Sequence, residues 1–221
     1  MFDYHTHSLL SDGALLPAEL IRRAQHIGYR ALGITDHVDS GNMAEVIDQL
    51  ARTCSDIGRT TEMVVLPGVE LTYVPPPMIA ELAEHARRLG ASLVIVHGET
   101  VAEPTIPGTN RAALLSEVDV LAHPGLITAE EVRLAADRGI YLELSARRGH
   151  CLTNGHLVRM AKESGALRLL VIASDAHAPG DLLSAERRRA VGLGAGLTSE
   201  ELDQTVKNAE RLLERVNHET L

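Results

Sequence analysis

Short apolar runs alternate with stretches of helical periodicity along the whole chain, and this alternation limits the fold more than any other feature. The runs are Phe2–His5, Ala31–Thr35, Met63–Val69, Leu93–Val96, Val118–Ala122, Ile140–Leu144 and Leu169–Ala173. They are nearly continuous and rich in β-branched residues, which suits parallel strands covered on both faces. Between them, Pro17–Gly28 places Leu20, Ile21, Ala24 and Ile27 on one helical face, with proline at its start and glycine at its end. Met43–Gly58 and Pro77–Gly90 repeat that pattern. Thr128 with Glu131 and Thr198 with Glu201 form capping-box pairs, the second opening a long C-terminal helix. Strand, helix, strand in steady succession predicts a parallel α/β sheet. Seven units predict a closed barrel one short of the usual eight, built as a single domain over residues 1–221. A doubly wound open sheet is the alternative, but no G-x-G-x-x-G turn follows any strand.

In a barrel of this kind the chemistry sits at the C-terminal ends of the strands. Read in order, those ends carry His5-Thr6-His7 with Ser11-Asp12-Gly13, Thr35-Asp36-His37, Pro67-Gly68-Val69-Glu70, Val96-His97, Ala122-His123-Pro124, Leu142-Glu143-Leu144-Ser145 and Ser174-Asp175-Ala176-His177. Six of the 11 histidines fall there, on one rim. A lone histidine is most often a hydrogen-bonded structural residue, but unrelated ones would not gather at the same end of successive strands. His5 and His7 are two apart on an extended segment and point the same way, and Asp175 and His177 repeat the spacing on the last strand. Imidazole and carboxylate donors suit Zn²⁺, Mn²⁺ or Fe²⁺. The nine candidates His5, His7, Asp12, His37, Glu70, His97, His123, Asp175 and His177 are too many for one ion and match two or three.

These motifs, in this order from residue 5 to residue 177, resemble those of the PHP (polymerase and histidinol phosphatase) superfamily, and most closely its compact stand-alone histidinol-phosphatase-like members. The resemblance implies a distorted (β/α)7 TIM-like barrel, a trinuclear metal site and hydrolysis of a phosphoester by a metal-bridging hydroxide. By the same resemblance His5, His7, Glu70 and Asp175 hold one ion. Glu70 bridges to a second ion held by His97 and His123, and Asp12, His37 and His177 hold the third.

Phosphate recognition calls for a further cation, since a guanidinium can bind phosphate oxygens in bidentate fashion. Arg147 and Arg148 follow the sixth strand on the same rim, and Arg111 follows the fourth. Solvated surface arginines are the ordinary alternative for all three. His150 is a candidate proton donor to the leaving group, against the plainer reading of an exposed loop histidine. Glu99 reads as a loop carboxylate, and Asp3 as a partner of His5 or a cap for buried polar groups.

Charge and composition narrow the partners. Lys and Arg total 21 against 30 Asp and Glu, a net charge of -9, and only five residues are Phe or Tyr. Both facts argue against an extended nucleic acid track and favour a small phosphorylated substrate, such as histidinol phosphate or a nucleotide. A nuclease or phosphodiesterase acting on short oligonucleotides is the second hypothesis, because the metal chemistry is the same. A metal-binding scaffold without activity is the third, and the complete ligand set speaks against it. Two cysteines, Cys54 and Cys151, cannot make a disulfide framework, and no basic-then-apolar leader or membrane-length apolar run is visible. A cytoplasmic protein is the expectation, with oligomeric state left open.

Overall fold

The computed structural model describes residues 1–218. Seven parallel strands follow one another in chain order around a nearly closed barrel. They are β1 (Phe2–Asp3), β2 (Ala31–Val38), β3 (Val64–Leu71), β4 (Leu93–His97), β5 (Val120–Ala122), β6 (Tyr141–Ser145) and β7 (Leu170–Ala173). The connecting helices are α1 (Pro17–Ile27), α2 (Met43–Gly58), α3 (Ile79–Arg88), α4 (Thr109–Leu114), α5 (Ala129–Arg138), α6 (Asn154–Glu163) and α7 (Ala185–Gly194). A last helix, α8 (Ser199–His218), ends the described chain. Among the described residues no helix is long and apolar enough to cross a membrane.

The first strand is shorter than its apolar run predicts. After Asp3 the chain leaves the ladder, because the Asp3 carboxylate takes over as backbone acceptor. Its Oδ1 accepts from Ser174 N (3.1 Å) and His5 N (3.4 Å). Burial raises the Asp3 pKa to about 6. The barrel is then closed at its C-terminal rim by a parallel bridge between Thr6 and Ala176. His7 N donates to Ala176 O, and Asp175 N to His5 O, both at 2.9 Å. Proline also shifts one helix start. Pro76–Met78 winds a short 3₁₀ turn, so α3 opens at Ile79 rather than Pro77.

Alternation along the strands divides the core in two. Leu93, Ile95, Leu66, Val120 and Tyr141 point inward and join Phe2 and Tyr4. Val94, Val96, Leu142 and Leu144 point outward to the helices. The inward set is covered from below by α8, whose Ala209, Leu212 and Val216 are buried against it. Tyr4 OH donates to Ala209 O (2.7 Å), and Asn208 Nδ2 donates to the Leu167 and Leu170 carbonyls (2.8 Å each). The C-terminal helix is thus the floor of its own barrel. Its Thr198–Glu201 capping box forms as the sequence predicts, as does the Thr128–Glu131 box of α5.

Leu212 is fully buried in this floor. Leu212→Ala is expected to lower the unfolding free energy by roughly 3 kcal/mol, within the range for cavity-forming core truncations. Urea titration followed by far-UV circular dichroism checks the value.

Candidate metal centre

The inward face of the strands is apolar low in the barrel and polar at the top. Leu93 and Ile95 are followed on the same face by His97, Leu66 by Glu70, and Tyr141 by Glu143. His37 and Glu70 lie directly across from each other in the β2–β3 register. The loop after β1 is tied down by a buried carboxylate. Asp36 Oδ1 accepts from Ser8 N (2.7 Å) and Ser11 Oγ (2.6 Å), and its Oδ2 accepts from Ser8 Oγ (2.7 Å). Gly13 completes the turn, since a Cβ there would strike the His7 carbonyl. His123 and Asp175 follow β5 and β7 with φ of +28° and +52°, and Tyr73 follows β3 with φ of +54°. Among the described residues these are the non-glycine positions with positive φ, and all three line the same cavity. Such backbone costs about 1–3 kcal/mol per residue and persists only where surrounding structure holds it.

Glu70 stands at the middle of the cluster. Its Oε1 is 3.3 Å from His5 Nε2 and 3.5 Å from His123 Nε2. Its Oε2 is 2.7 Å from His37 Nδ1 and 3.8 Å from His7 Nε2. Asp175 lies opposite, with Oδ1 3.3 Å from His7 Nε2 and 3.8 Å from His5 Nε2. Asp12 Oδ1 is 3.1 Å from His177 Nε2 and 3.4 Å from His37 Nε2. The His7 ring centroid is 4.1 Å from those of both His37 and His177, and the His97 and His123 centroids are 4.5 Å apart. All nine residues singled out in the sequence therefore meet in one place. Their donor atoms group as His5, His7 and Asp175; as His7, Asp12, His37 and His177; and as His97, His123 and His150, with every atom of a group within 4.8 Å of the others.

Electrostatics follow from burial among opposite charges. Burial alone would raise the Glu70 pKa, but His5 and His37 hold it well below the usual carboxylate range. Burial would lower that of His5, yet Glu143, Glu70 and Asp175 hold it well above its ordinary value. His7, with weaker compensation, falls to about 3 through burial. The hydrogen bond to His177 takes Asp12 down to about 2. Eight buried atoms on His5, His7, Glu70, His123, Glu143, His150 and Asp175 lack a hydrogen bond; elsewhere among the described residues only Ser164 and Arg215 carry one. Buried polar atoms are normally satisfied. A concentration of unsatisfied nitrogen and oxygen donors fits divalent cations of the zinc, manganese or iron kind.

Of the remaining candidates, Arg147 lines the cavity, touches His177 Nδ1 and donates to Asp175 O (3.3 Å). Arg148 is exposed and outside it, because successive side chains diverge as the chain leaves β6. Arg111 is also outside it, on the surface of α4 and paired with Glu130 (2.9 Å). His150 is buried in a short 3₁₀ turn (His150–Thr153), contrary to the exposed-loop reading. Glu99 accepts from Gly108 N and Asn110 N at the start of α4, a loop carboxylate as read. Three residues of the cavity region were missed. His5 Nδ1 donates to Glu143 Oε2 (2.6 Å), and the inward position of Glu143 on β6 was the signal for it. Glu103 and Tyr73 come from loops whose sequence carries no periodic signal.

The PHP domain model matches residues 3–180 of the chain. An uncharacterized protein of Methanocaldococcus jannaschii is 45% identical over 218 residues, 97% of this chain and 99% of that protein. The 5′-3′ exoribonuclease Rnm of Escherichia coli is 27% identical over 170 residues, which are 75% of this chain but 49% of the exoribonuclease. The chain thus spans about half of that enzyme's length. Among solved structures, histidinol phosphate phosphatase of Lactococcus lactis, determined with zinc, L-histidinol and phosphate, shares the fold. Its TM-score is 0.55 at 16% identity, over 96% of this chain and 93% of that one.

Asp36 satisfies three donors at once and carries the loop that presents Asp12. Asp36→Asn places an amide NH₂ among those donors and is expected to lower the unfolding free energy by about 1–3 kcal/mol. A lower urea midpoint at unchanged slope checks it.

Proposed function

The chain belongs to the PHP domain family, and from that membership we propose that it hydrolyses a small phosphomonoester with three divalent ions in its strand-end cluster. The observation that carries the reading is the set of buried, unsatisfied imidazole and carboxylate atoms gathered around Glu70. His5, His7, Glu70 and Asp175 would hold one ion, Glu70, His97 and His123 a second, and Asp12, His37 and His177 a third. Ions bound there would neutralise phosphate oxygens and acidify water, which is the chemistry a phosphoester needs.

The chain's own groups do the rest. Glu143 accepts the Nδ1 proton of His5 (2.6 Å), fixing the ring so that Nε2 faces Glu70. Thr72 Oγ1 lies 2.7 Å from His37 Nδ1 and 3.2 Å from Glu70 Oε2, and so steadies both. Arg147 is the cation that enters the cavity from the β6 side, placed to bind phosphate oxygens beside Asp175 and His177. The open cavity of about 520 Å³ has the size of a metabolite or nucleotide site.

Likeness to a 5′-3′ exoribonuclease over three quarters of the chain favours, as the second reading, cleavage of short oligonucleotides. Comparing p-nitrophenyl phosphate with bis-p-nitrophenyl phosphate on Mn²⁺-reconstituted protein separates the two. The phosphatase reading expects the monoester to be preferred at least about tenfold in kcat/KM, or roughly 1.4 kcal/mol of transition-state binding. A preference for the diester puts the nuclease first. His123→Ala is expected to reduce turnover by roughly 100-fold or more with the circular dichroism spectrum retained. Full activity in that variant would contradict the assignment.

A further inference from the structure

Glu103 lies in the loop between β4 and α4, outside the nine strand-end positions. Its carboxylate reaches into the cavity and faces two imidazoles at once. Oε2 is 3.0 Å from His97 Nε2, and Oε1 is 3.1 Å from His150 Nε2. Tyr73 OH donates to the same Oε2 (2.8 Å), so a residue with positive φ positions this carboxylate.

His97 Nδ1 donates to the Gly98 carbonyl (3.1 Å), which leaves Nε2 of the neutral ring as a bare lone pair pointing at a carboxylate oxygen. Either a proton on Nε2 or a cation closes that contact, and the gathering of His97, His123 and His150 donor atoms within 4.8 Å of one another points to the cation. His150 and His123 are both buried, and Nδ1 of each has no hydrogen bond. The His123 ring stands edge-on to His97 (4.5 Å between centroids) and to His150 (4.2 Å). Ligands bonded at ~2.0–2.1 Å to one tetrahedral ion lie about 3.3 Å apart, close to the His97–Glu103 and His150–Glu103 separations.

We propose that Glu103 and His150 are metal ligands, which with His97 and His123 give one site three imidazoles and its own loop carboxylate. The inference rests on the metal-dependent reading above and goes beyond the nine strand-end positions. The site is nitrogen-rich, whereas His5, His7, Glu70 and Asp175 offer equal numbers of nitrogen and oxygen ligands. With Glu70 the ion would have three imidazole and two carboxylate donors, and imidazole-rich sets favour Zn²⁺ over Mg²⁺ or Ca²⁺. His150 then acts as a ligand, and not as a proton donor to the leaving group. The β4–α4 loop becomes part of the centre, closed onto it through Tyr73 and Glu103.

Stripping the full-length protein with a chelator and titrating it with Zn²⁺ against a chromophoric competitor tests this. Wild type is expected to take up three ions. Glu103→Gln and His150→Asn are each expected to weaken one of the three by about tenfold or more, leaving the other two unchanged. Glu99→Gln is the control. It loosens the same loop by replacing the charged acceptor of Gly108 N and Asn110 N with a neutral amide oxygen, and should lower Tm while keeping all three ions. Substitution with Co²⁺ gives a second readout, because losing a carboxylate or imidazole changes the intensity of the visible ligand-field bands. Wild-type Zn²⁺ affinities in both Glu103→Gln and His150→Asn overturn the proposal, as does a loss in Glu99→Gln equal to that in Glu103→Gln. A wild type that binds no Zn²⁺ overturns the functional reading as well.

Discussion

The barrel closes through backbone bonds at one point on its rim, and the site depends on that closure. His7 N bonds to Ala176 O, and Asp175 N to His5 O. The bridge residues Thr6 and Ala176 therefore alternate with candidate ligands from opposite ends of the sequence. A parallel bridge fixes the register of the two segments, so His5 and His7 meet Asp175 with no further adjustment. Lower down, β1 is two residues long and cannot complete the ladder. There α8 takes over, filling the interior with Leu212 and Val216 and leaving the rim to polar groups. The apolar floor and the polar mouth are two ends of the same inward-facing rows of side chains.

Such a mouth is expensive without cations. Glu70 and Asp175 are buried; carboxylates hold the pKa values of His5 and His37 beside them above the ordinary imidazole value, whereas burial takes that of His7 down to about 3. Divalent ions bound there would resolve this conflict by supplying positive charge without protonating nitrogen donors. They would bind the folded chain alone, since no unfolded chain assembles ligands from residues 5 to 177, so their affinity would add to folding stability. The positive φ values at His123 and Asp175 fit the same account, because two strand ends are bent from their preferred paths to bring donors inward.

Much of this was legible in the sequence, for identifiable reasons. Continuous apolar runs gave the parallel strands, and histidines and carboxylates at their C-terminal ends gave the nine positions that converge. Period-two spacing was a reliable guide wherever the backbone is extended, as at His5 and His7. It failed where the chain leaves the sheet. Arg147 and Arg148 are neighbours in sequence, but one enters the cavity and the other faces solvent. Arg111 lies after the right strand yet finds a partner in Glu130 on the next helix. Burial of His150 depends on how a 3₁₀ turn folds back over His123, which no local pattern encodes. Glu143 stands at the end of the sixth apolar run, and its inward parity with Tyr141 is fixed once β6 is placed.

The division between strand ends and loops also separates chemistry from selectivity. His37, Glu70 and His97 lie within strands and are held by the sheet, while the other six candidate ligands sit past strand ends, where the rim bonds of His5, His7 and Asp175 fix three of them. Loops then determine what else surrounds the cluster. Here one loop contributes a guanidinium, Arg147, and another a carboxylate, Glu103, which approach the cluster from different sides: Arg147 at Asp175 and His177, Glu103 at His97 and His150. The guanidinium therefore stands on the His177 side of the cavity and the carboxylate on the His97 side. The polarity of the cavity thus comes from two residues that the barrel itself does not require.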